Sequence, residues 1–384
     1  MKVVNTEAKP IKMWLEQIED WAMEQIKNLA NLPFLYKRVA VMPDSHQWYW
    51  MPIGWVIATE GVVIPNAVWV DIGCGMCAVR TSLNNIEKDD LKIIMWLIRE
   101  KIPLWFEHHK VKQDISLYPA MISEKVILKE FQSSLYQLWT LGWGNHFIEI
   151  QKWDDWYIWI MIHSGSRKLW KKVADYYNKL AVELNNKWFS SIPKEHELAF
   201  LPIESEEGKS YIKEMNYCVE FALANRKLMM DRIKECFSSL FTKIEFEEMI
   251  NIAHNYARRE NHYWKNVIVH RKWATSAREW EIGIVPWSQW TSSYIVQWLG
   301  NKESFESCSH WAGRKMSRTK AEQELNLEEE IKKLDDQWIV HWIRNVSDLD
   351  EASWAYKDID EVMENQKELV NILVKLTPLG VIKG

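Results

Sequence analysis

Five short segments of the chain place histidine, cysteine, aspartate and serine side chains beside glycine or other small residues. They are Asp71-Ile72-Gly73-Cys74-Gly75, Asn145-His146, His163-Ser164-Gly165-Ser166-Arg167, His254-Asn255 and Ser309-His310-Trp311-Ala312-Gly313-Arg314. Imidazole, thiolate and carboxylate groups bind transition metals, and a histidine can also attack phosphorus. Because sites are commonly assembled from loops on a rigid scaffold, the segments predict a loop-built site that combines metal binding with nucleophilic chemistry.

Each segment alone is weak evidence for a metal or catalytic site, because simpler interpretations of the same residues exist. A single histidine is more often structural than a ligand. Cys74 and Cys77 form a C-x-x-C pair, which by itself fits a redox or zinc site, and a thiolate ligand favours zinc over harder metals. Gly208-Lys209-Ser210 resembles the end of a phosphate-binding loop, but the glycine that such a loop needs five residues earlier is Ile203.

The tryptophan content is abnormal: the chain has 25 tryptophans and only 13 glycines. Many tryptophans stand where turn chemistry requires a residue that tolerates positive φ. We therefore hypothesise that the gene reads UGA as glycine and was translated with a table that reads UGA as tryptophan. Trp159, inside an apolar strand, is expected to be genuine, and Trp14 and Trp188 stay undecided. The clearest expected glycines are Trp48, Trp50, Trp55, Trp69, Trp143, Trp273, Trp287, Trp290 and Trp311.

With glycine restored, eight segments together resemble the RtcB-type RNA ligases, the tRNA-splicing ligase family. The matching segments are 42–54, 71–75, 141–149, 163–167, 270–275, 286–294, 307–314 and 380–384. They span nearly the whole chain in order. The resemblance implies an α+β fold in one domain, 1–384, and an enzyme that joins RNA ends with GTP and manganese, in tRNA splicing or RNA repair.

The resemblance also assigns a metal site and a nucleophile. It implies that two Mn²⁺ ions are bound, with Cys74 bridging them, and that His310 carries GMP as a phosphoramidate. Paired metals can clamp the attacking and leaving oxygens during displacement at phosphorus. Asp44 and His46 are equally open to a supporting or a purely structural role. The implied metal ligands are Asp71, Cys74, His146, His163 and His254.

A guanylate-binding surface follows from the same match, with Glu149 expected to select guanine through its N1–H and N2–H donors. The implied nucleotide-binding residues are Asn145, His146, Phe147, Ile148, Glu149, His254, Asn255, Pro286, Trp287, Ser288, Gln289, Ser293, His310, Trp311, Ala312, Gly313, Tyr356 and Lys383.

Basic residues near these segments are candidates for contacts with RNA phosphates. They are Arg167, Arg271, Lys272, Arg278, Arg314, Lys315 and Arg318.

Two alternatives to the RNA-ligase function stay open at this point. A dinuclear metal phosphoesterase needs the metal cluster but not His310, Glu149 or Lys383. An inactive RNA-binding protein follows if every tryptophan is literal.

The secondary structure predicted from the sequence contains both strands and helices. They do not follow a regular βαβ alternation, which favours an α+β fold. Apolar residues from Ile11 to Leu29 recur at helical spacing and predict an opening amphipathic helix. Several short strands are expected over 38–80, a hairpin over 147–163, and strands and turns over 267–298. Asp71 is expected after a strand and His254 after a helix. Further helices are predicted over 127–139, 211–250, 319–335 and 356–376.

Bulk properties limit the protein class. The net charge of −5 argues against a protein that coats nucleic acid non-specifically. Five scattered cysteines do not form a disulfide framework, which favours a reducing compartment. No apolar run approaches 18 residues, and the first ten residues lack a secretory core, so we expect a cytoplasmic protein without a membrane partner.

Overall fold

The computed structural model describes residues 1–47, 51–68, 71–153, 156–287 and 291–384. The α-helices are Asp20–Ala30 (α1), Lys88–Lys101 (α2), Lys125–Ser134 (α3), Lys168–Lys187 (α4), Glu206–Leu240 (α5), Arg318–Glu324 (α6), Leu327–Asp336 (α7) and Ile359–Asn365 (α8). Short 3-10 helices lie at Pro65–Ala67, Ile115–Leu117, Lys194–His196, Lys302–Ser304, Val346–Glu351 and Ser353–Ala355.

Strands form two large sheets and two small ones. The strands are Lys2–Val4 (β1), Ile11–Met13 (β2), Leu35–His46 (β3), Ile53–Thr59 (β4), Val62–Val63 (β5), Gly75–Arg80 (β6), Phe147–Trp153 (β7), Ile158–Ser164 (β8), Leu201–Pro202 (β9), Ile250–Ala253 (β10), Asn255–His262 (β11), Lys265–Lys272 (β12), Ala274–Ser276 (β13), Ile282–Val285 (β14), Ser293–Trp298 (β15), Ser307–Ser309 (β16) and Val370–Lys383 (β17). The six-stranded sheet has the order β1-β2-β3-β4-β12-β11, and the seven-stranded sheet has the order β10-β6-β8-β7-β17-β15-β14. The two-stranded sheets are β13-β16 and β5-β9.

The α+β interpretation is confirmed, because helices cover sheets whose strands are almost all antiparallel neighbours. Helices α2 and α5 pack Ile94, Ile98 and Met230 against Ile150 and Ile160 of the seven-stranded sheet. The hairpin predicted over 147–163 is present as β7 and β8, which pair in antiparallel register. The fully apolar segment Ile158–Ile162 is buried, as expected for a central strand.

Two helix predictions were wrong in extent. Ile11–Met13 forms a strand that pairs in parallel with β3, and the helix begins only at Asp20, so Ile11 and Leu15 do not lie on it. The last predicted helix stops at Asn365, and residues from Val370 onward form β17. Val370, Ile372 and Val374 are β-branched, which favours the extended strand that this segment adopts.

Other element predictions also need correction. His254 lies between β10 and β11 rather than after a helix. Asp71 follows a 3-10 helix at Pro65–Ala67 and precedes β6. Helix α5 ends at Leu240, ten residues before the predicted boundary. The charged segment 319–335 is helical, but it is split into α6 and α7 at Leu325. None of the described helices combines the length and apolarity needed to cross a bilayer.

Candidate metal and nucleophile site

Strand register brings the predicted metal ligands to one end of the seven-stranded sheet. β6 pairs with β8 so that Met76 faces His163, and β7 pairs with β8 so that Phe147 also faces His163. On the other side of β6, Ala253 of β10 faces Gly75. Cys74, His146 and His254 each adjoin one of these strand ends, and they therefore meet around His163.

The five predicted ligands form two groups of three that share Cys74. The first group is Cys74, His163 and His254, and the second is Asp71, Cys74 and His146. Cys74 Sγ lies 3.2 Å from His163 Nε2 and 3.5 Å from His146 Nε2. His163 Nε2 lies 3.4 Å from His254 Nε2, and His146 Nε2 lies 2.9 Å from Asp71 Oδ2.

Backbone hydrogen bonds fix which imidazole nitrogen faces the centre. His146 Nδ1 donates to the carbonyl of Leu141 at 3.0 Å, and His163 Nδ1 donates to the carbonyl of Asn145 at 2.9 Å. These bonds leave the Nε2 lone pairs free for a ligand, an arrangement typical of metal-binding histidines. Burial lowers the pKa of His163 to about 3, so the imidazole stays in the neutral form that binds metals.

The residues fit a pair of divalent cations. Buried Asp71 Oδ1 has no hydrogen-bond partner within the described ranges. Burial, followed by the nearby Asp71 carboxylate, raises the pKa of the Cys74 thiol well above its ordinary value, so a thiolate here needs added positive charge. A cation would supply that charge and deprotonate the thiol. One carboxylate, one shared thiolate and three imidazoles complete the donor set.

His310 lies directly beside this cluster, held by Asp44. His310 Nδ1 is 3.0 Å from Asp44 Oδ2, and the His310 ring centroid is 4.3 Å from that of His254. The imidazole is buried, and its Nε2 has no partner among the described residues. Burial lowers the pKa of His310 well below its usual range, which keeps it neutral. Burial also raises the pKa of Asp44 to about 8, against the opposing charge of Lys357.

The loop that carries His310 packs tightly against the end of β3. Gly313 has a φ of +80°, and a Cβ at this position would lie 2.2 Å from the Asp44 carbonyl oxygen. Only glycine combines this conformation with this approach. The contact keeps Asp44 and His310 in register, so Asp44 belongs to the site.

Several of the expected nucleotide-binding residues line one small cavity beside His310. Its lining includes Asn145, Phe147, Pro286, Trp287, Trp311 and Tyr356, together with His163, His310 and Glu351. Its volume is about 10 Å³, enough for roughly one water molecule. The Trp311 ring centroid lies 5.0 Å from that of His310, and the Trp273 centroid lies 4.9 Å from it. These two indoles therefore pack against the His310 ring.

The other predicted nucleotide contacts within the described ranges do not line this cavity. Ile148 packs into the apolar core on the opposite face of β7 from Phe147, so its side chain does not face the cavity. Glu149 and Ser293 are fully buried. Asn255 Oδ1 accepts from the Trp273 backbone N–H at 2.6 Å, and Ala312 is buried in the core. Ser288 and Gln289 lie outside the described residues, as do Trp48, Trp50, Trp69 and Trp290.

The site contains two acidic residues that sequence reasoning missed, Asp350 and Glu351. They form hydrogen bonds with residues that were predicted to bind the nucleotide or RNA. The buried Glu351 carboxylate accepts from the Tyr356 hydroxyl and from Arg314 at 3.1 Å. Asp350 pairs with Lys383. Nothing in the pattern around Asp350-Glu351 distinguishes them from a solvated charged turn.

The expected RNA-binding cations differ in exposure: Arg278 and Lys315 are exposed and Arg318 is half-buried, whereas the others are buried. Arg167, Arg314 and Arg318 line an opening of about 140 Å³ that also exposes Asp71 and His146. Arg271 and Lys272 are buried. The Arg271 guanidinium donates to Glu260 at 2.5 and 3.0 Å, and Lys272 Nζ donates to the Asn66 carbonyl at 3.0 Å. This geometry opposes their assignment as direct phosphate contacts and makes them structural supports.

Comparisons with known proteins identify the family of this chain. The family model described as tRNA-splicing ligase RtcB matches residues 25–126 and 116–384. The RNA-splicing ligase RtcB of Escherichia coli (strain K12) is 36% identical over 409 residues, which cover 100% of this chain and 99% of that protein. The tRNA-splicing ligase RtcB of Thermococcus kodakarensis is 30% identical, over 95% of this chain and 92% of that protein. That of Nanoarchaeum equitans is 31% identical over the same shares.

The chain therefore belongs to the RtcB family. It is an RNA ligase, as the fold, the metal-ligand cluster and the full-length similarity together indicate.

Proposed function

We propose that this RNA ligase uses GTP and Mn²⁺ to join an RNA 3′-phosphate or 2′,3′-cyclic phosphate to a 5′-hydroxyl through a His310–GMP intermediate. The observation that carries the proposal is the His310 imidazole, which is buried beside His254 and held through Nδ1 by Asp44, while its Nε2 has no partner within the described part of the chain. A purely hydrolytic metal site has no need of such a group. GTP-dependent joining of two RNA strands tests the proposal.

Each proposed step balances at phosphorus. With Nδ1 donating to Asp44, His310 Nε2 attacks the α-phosphorus of GTP, an N–P bond forms, and pyrophosphate leaves. The GMP then passes to an oxygen of the RNA 3′-phosphate, which breaks the N–P bond. Finally the 5′-hydroxyl oxygen attacks the 3′-phosphate, loses its proton, and displaces GMP. A cyclic phosphate is first opened by water to the 3′-phosphate.

Asp71, Cys74, His146, His163 and His254 would hold two Mn²⁺ ions, which would supply positive charge to the reacting phosphate oxygens. The chain's own contribution is orientation and exclusion of water. Asp44 fixes the imidazole plane, and the buried strand ends leave His310 in a dry environment. Preorganised groups of this kind gain strength in a low dielectric.

Substitution of Cys74 by alanine is expected to remove both manganese ions, because the shared thiolate contributes to each group of three ligands. Metal content of the purified protein, measured by inductively coupled plasma mass spectrometry, should fall from two Mn²⁺ per chain to none. Cys77→Ala is the matched control, since Cys77 packs in the apolar core and lies outside both groups. Retention of one ion in Cys74→Ala would contradict the bridge.

We further propose that glycine occupies positions 273, 287 and 311 in the active enzyme. Nucleotide-sized sites usually have about 300–1,000 Å³, whereas the cavity beside His310 has about 10 Å³. All three tryptophans approach this cavity or the His310 ring. Their removal opens the space that GTP requires.

We propose that the RNA substrate is either a pair of tRNA halves or damaged RNA. Both present the 3′-phosphate or 2′,3′-cyclic phosphate and the 5′-hydroxyl that the reaction joins. Of the three arginines at the opening, Arg318 is the proposed phosphate contact, because it is only half-buried, whereas Arg167 and Arg314 are buried. We place the enzyme in the cytoplasm, since all five cysteines are free thiols, as in a reducing compartment.

A further inference from the structure

A buried polar cluster extends the nucleotide face of β7 beyond Glu149. Residues 147, 149 and 151 share one face of this strand because side chains alternate with a period of two. Phe147 lines the cavity beside His310, while Ile148 and Ile150 face the opposite core. Gln151 therefore follows Phe147 and Glu149 along the face that begins at the proposed nucleotide site.

Gln151 holds two of the expected nucleotide contacts at once. Its Nε2 lies 2.6 Å from Glu149 Oε2 and 3.2 Å from Ser293 Oγ. All three side chains are fully buried. The amide nitrogen of Gln151 faces both partners, and it can donate to the Glu149 carboxylate and to the Ser293 hydroxyl oxygen. This fixes the orientation of the amide and commits Nε2 to these two partners.

Two acceptor atoms in the cluster are left without partners. Glu149 Oε1 and Gln151 Oε1 are both buried and have no hydrogen-bond partner within the described residues. Buried polar atoms are nearly always paired in folded proteins, with protein groups, ordered water or a ligand. A ligand that pairs with them must present hydrogen-bond donors. Guanine presents N1–H and N2–H donors, whereas adenine presents an acceptor at N1.

We propose that Gln151 is a specificity-determining positioning residue that fixes the Glu149 carboxylate toward the guanine edge. The inference rests on the proposed GTP-dependent function. Ser293 lies on β15, on the other side of β17 from β7, and its hydroxyl oxygen accepts a second hydrogen bond from the Gln151 amide nitrogen. Without Gln151 the Glu149 carboxylate has no remaining hydrogen-bond donor within the described residues.

The ionisation of Glu149 supports the same role. Burial raises the pKa of Glu149 well above its ordinary value, and the hydrogen bond from Gln151 opposes this shift. Loss of the Gln151 donor therefore favours the protonated acid, which accepts poorly from two N–H groups. Guanine then loses its advantage over bases without those donors.

The test compares GTP, ITP and ATP as donors for covalent nucleotidylation of the full chain, produced with the genetic code of its native host. ITP lacks the 2-amino group. Gln151→Met should lower the ratio of the GTP to the ATP second-order rate constant by about 10- to 100-fold, as expected for loss of a hydrogen bond to a charged group. The maximal rate should change less than the half-saturating GTP concentration. Gln151→Asn, which is one methylene shorter, should show the same change while keeping a polar group.

Gln137→Met is the matched control, because Gln137 is equally buried and makes hydrogen bonds to Ser133 and Lys168 outside the proposed site. It should lose stability without a change in the nucleotide ratio. An unchanged GTP-to-ATP ratio in both Gln151 variants, with an active wild type, would overturn the role of Gln151 alone. Absence of any GTP adduct in the wild type would overturn the proposed function as well.

Discussion

Replacing His310 with alanine should abolish covalent labelling of the protein by GTP while leaving its metal content unchanged. His310 Nε2 has no hydrogen-bond partner among the described residues and lies beside the metal-ligand cluster, but His310 belongs to neither group of metal ligands. Loss of a covalent nucleophile lowers rates by several orders of magnitude. The protein is incubated with α-labelled GTP and Mn²⁺, denatured, and counted for bound label, and its metal content is measured in parallel.

The chemistry of the adduct gives an independent check. A phosphoramidate should be lost in acid and stable in alkali. His196→Ala is a suitable control, because His196 lies in the 3-10 helix Lys194–His196 and outside the predicted site. Equal labelling of His310→Ala and wild type would exclude His310 as the nucleophile. A protein that hydrolyses phosphoesters without any adduct would favour the phosphoesterase alternative.

Glycine at the suspect tryptophan positions should restore both stability and nucleotide binding. Of the 15 non-glycine residues with positive φ in the described ranges, seven are tryptophan: Trp105, Trp139, Trp156, Trp264, Trp273, Trp280 and Trp338. Bulky residues in this conformation cost about 1–3 kcal/mol each. Peptide mass spectrometry of the protein from its native host should therefore show glycine at these positions and at Trp143, Trp287 and Trp311.

Paired substitutions in the printed chain measure the effect directly. Trp264 has a φ of +66° and is 99% exposed, so Trp264→Gly should stabilise the chain by about 1 kcal/mol through relief of strain. Trp159 is buried in β8, and Trp159→Gly should destabilise it by at least about 3 kcal/mol. Denaturant unfolding gives both values. Destabilisation by both changes would contradict the glycine hypothesis at Trp264.

GTP binding is expected to depend on tryptophan or glycine at positions 273, 287 and 311 together. The variant W273G/W287G/W311G should bind GTP and form the adduct, whereas the printed chain should not, because its cavity of about 10 Å³ excludes a nucleotide. Equilibrium dialysis with GTP compares the two proteins. Equal GTP binding by both would show that the indoles do not close the site. Trp55 departs from the glycine hypothesis, because its buried indole N–H donates to the Pro52 carbonyl at 2.8 Å, as a genuine tryptophan would.

Much of the local structure around the site could be predicted from the sequence. The apolar segment before His163 predicted a strand with a polar residue at its end, and β8 has this form. Gln151 could have been found in the same way, since it lies two residues after Glu149 and strands alternate their faces.

The pairing of residues on different strands could not be predicted from the sequence. Apolar residues from Ile11 to Leu29 fit a helical period, yet Ile11 pairs with β3, whose position depends on distant strands. Arg271 resembled a surface cation because its partner, Glu260, meets it only across the β11–β12 pairing. Tertiary context decided both cases over local pattern.

The most direct test of the account follows the fate of the RNA 3′-phosphate. An RNA with a ³²P-labelled 3′-phosphate is incubated with a 5′-hydroxyl RNA, GTP, Mn²⁺ and the enzyme carrying glycine at positions 273, 287 and 311. We predict that the label enters a longer RNA and becomes resistant to phosphatase, because the 3′-phosphate is retained in the new phosphodiester. This product should require GTP and disappear in His310→Ala. Release of the label as inorganic phosphate, with or without GTP, would contradict the ligase account.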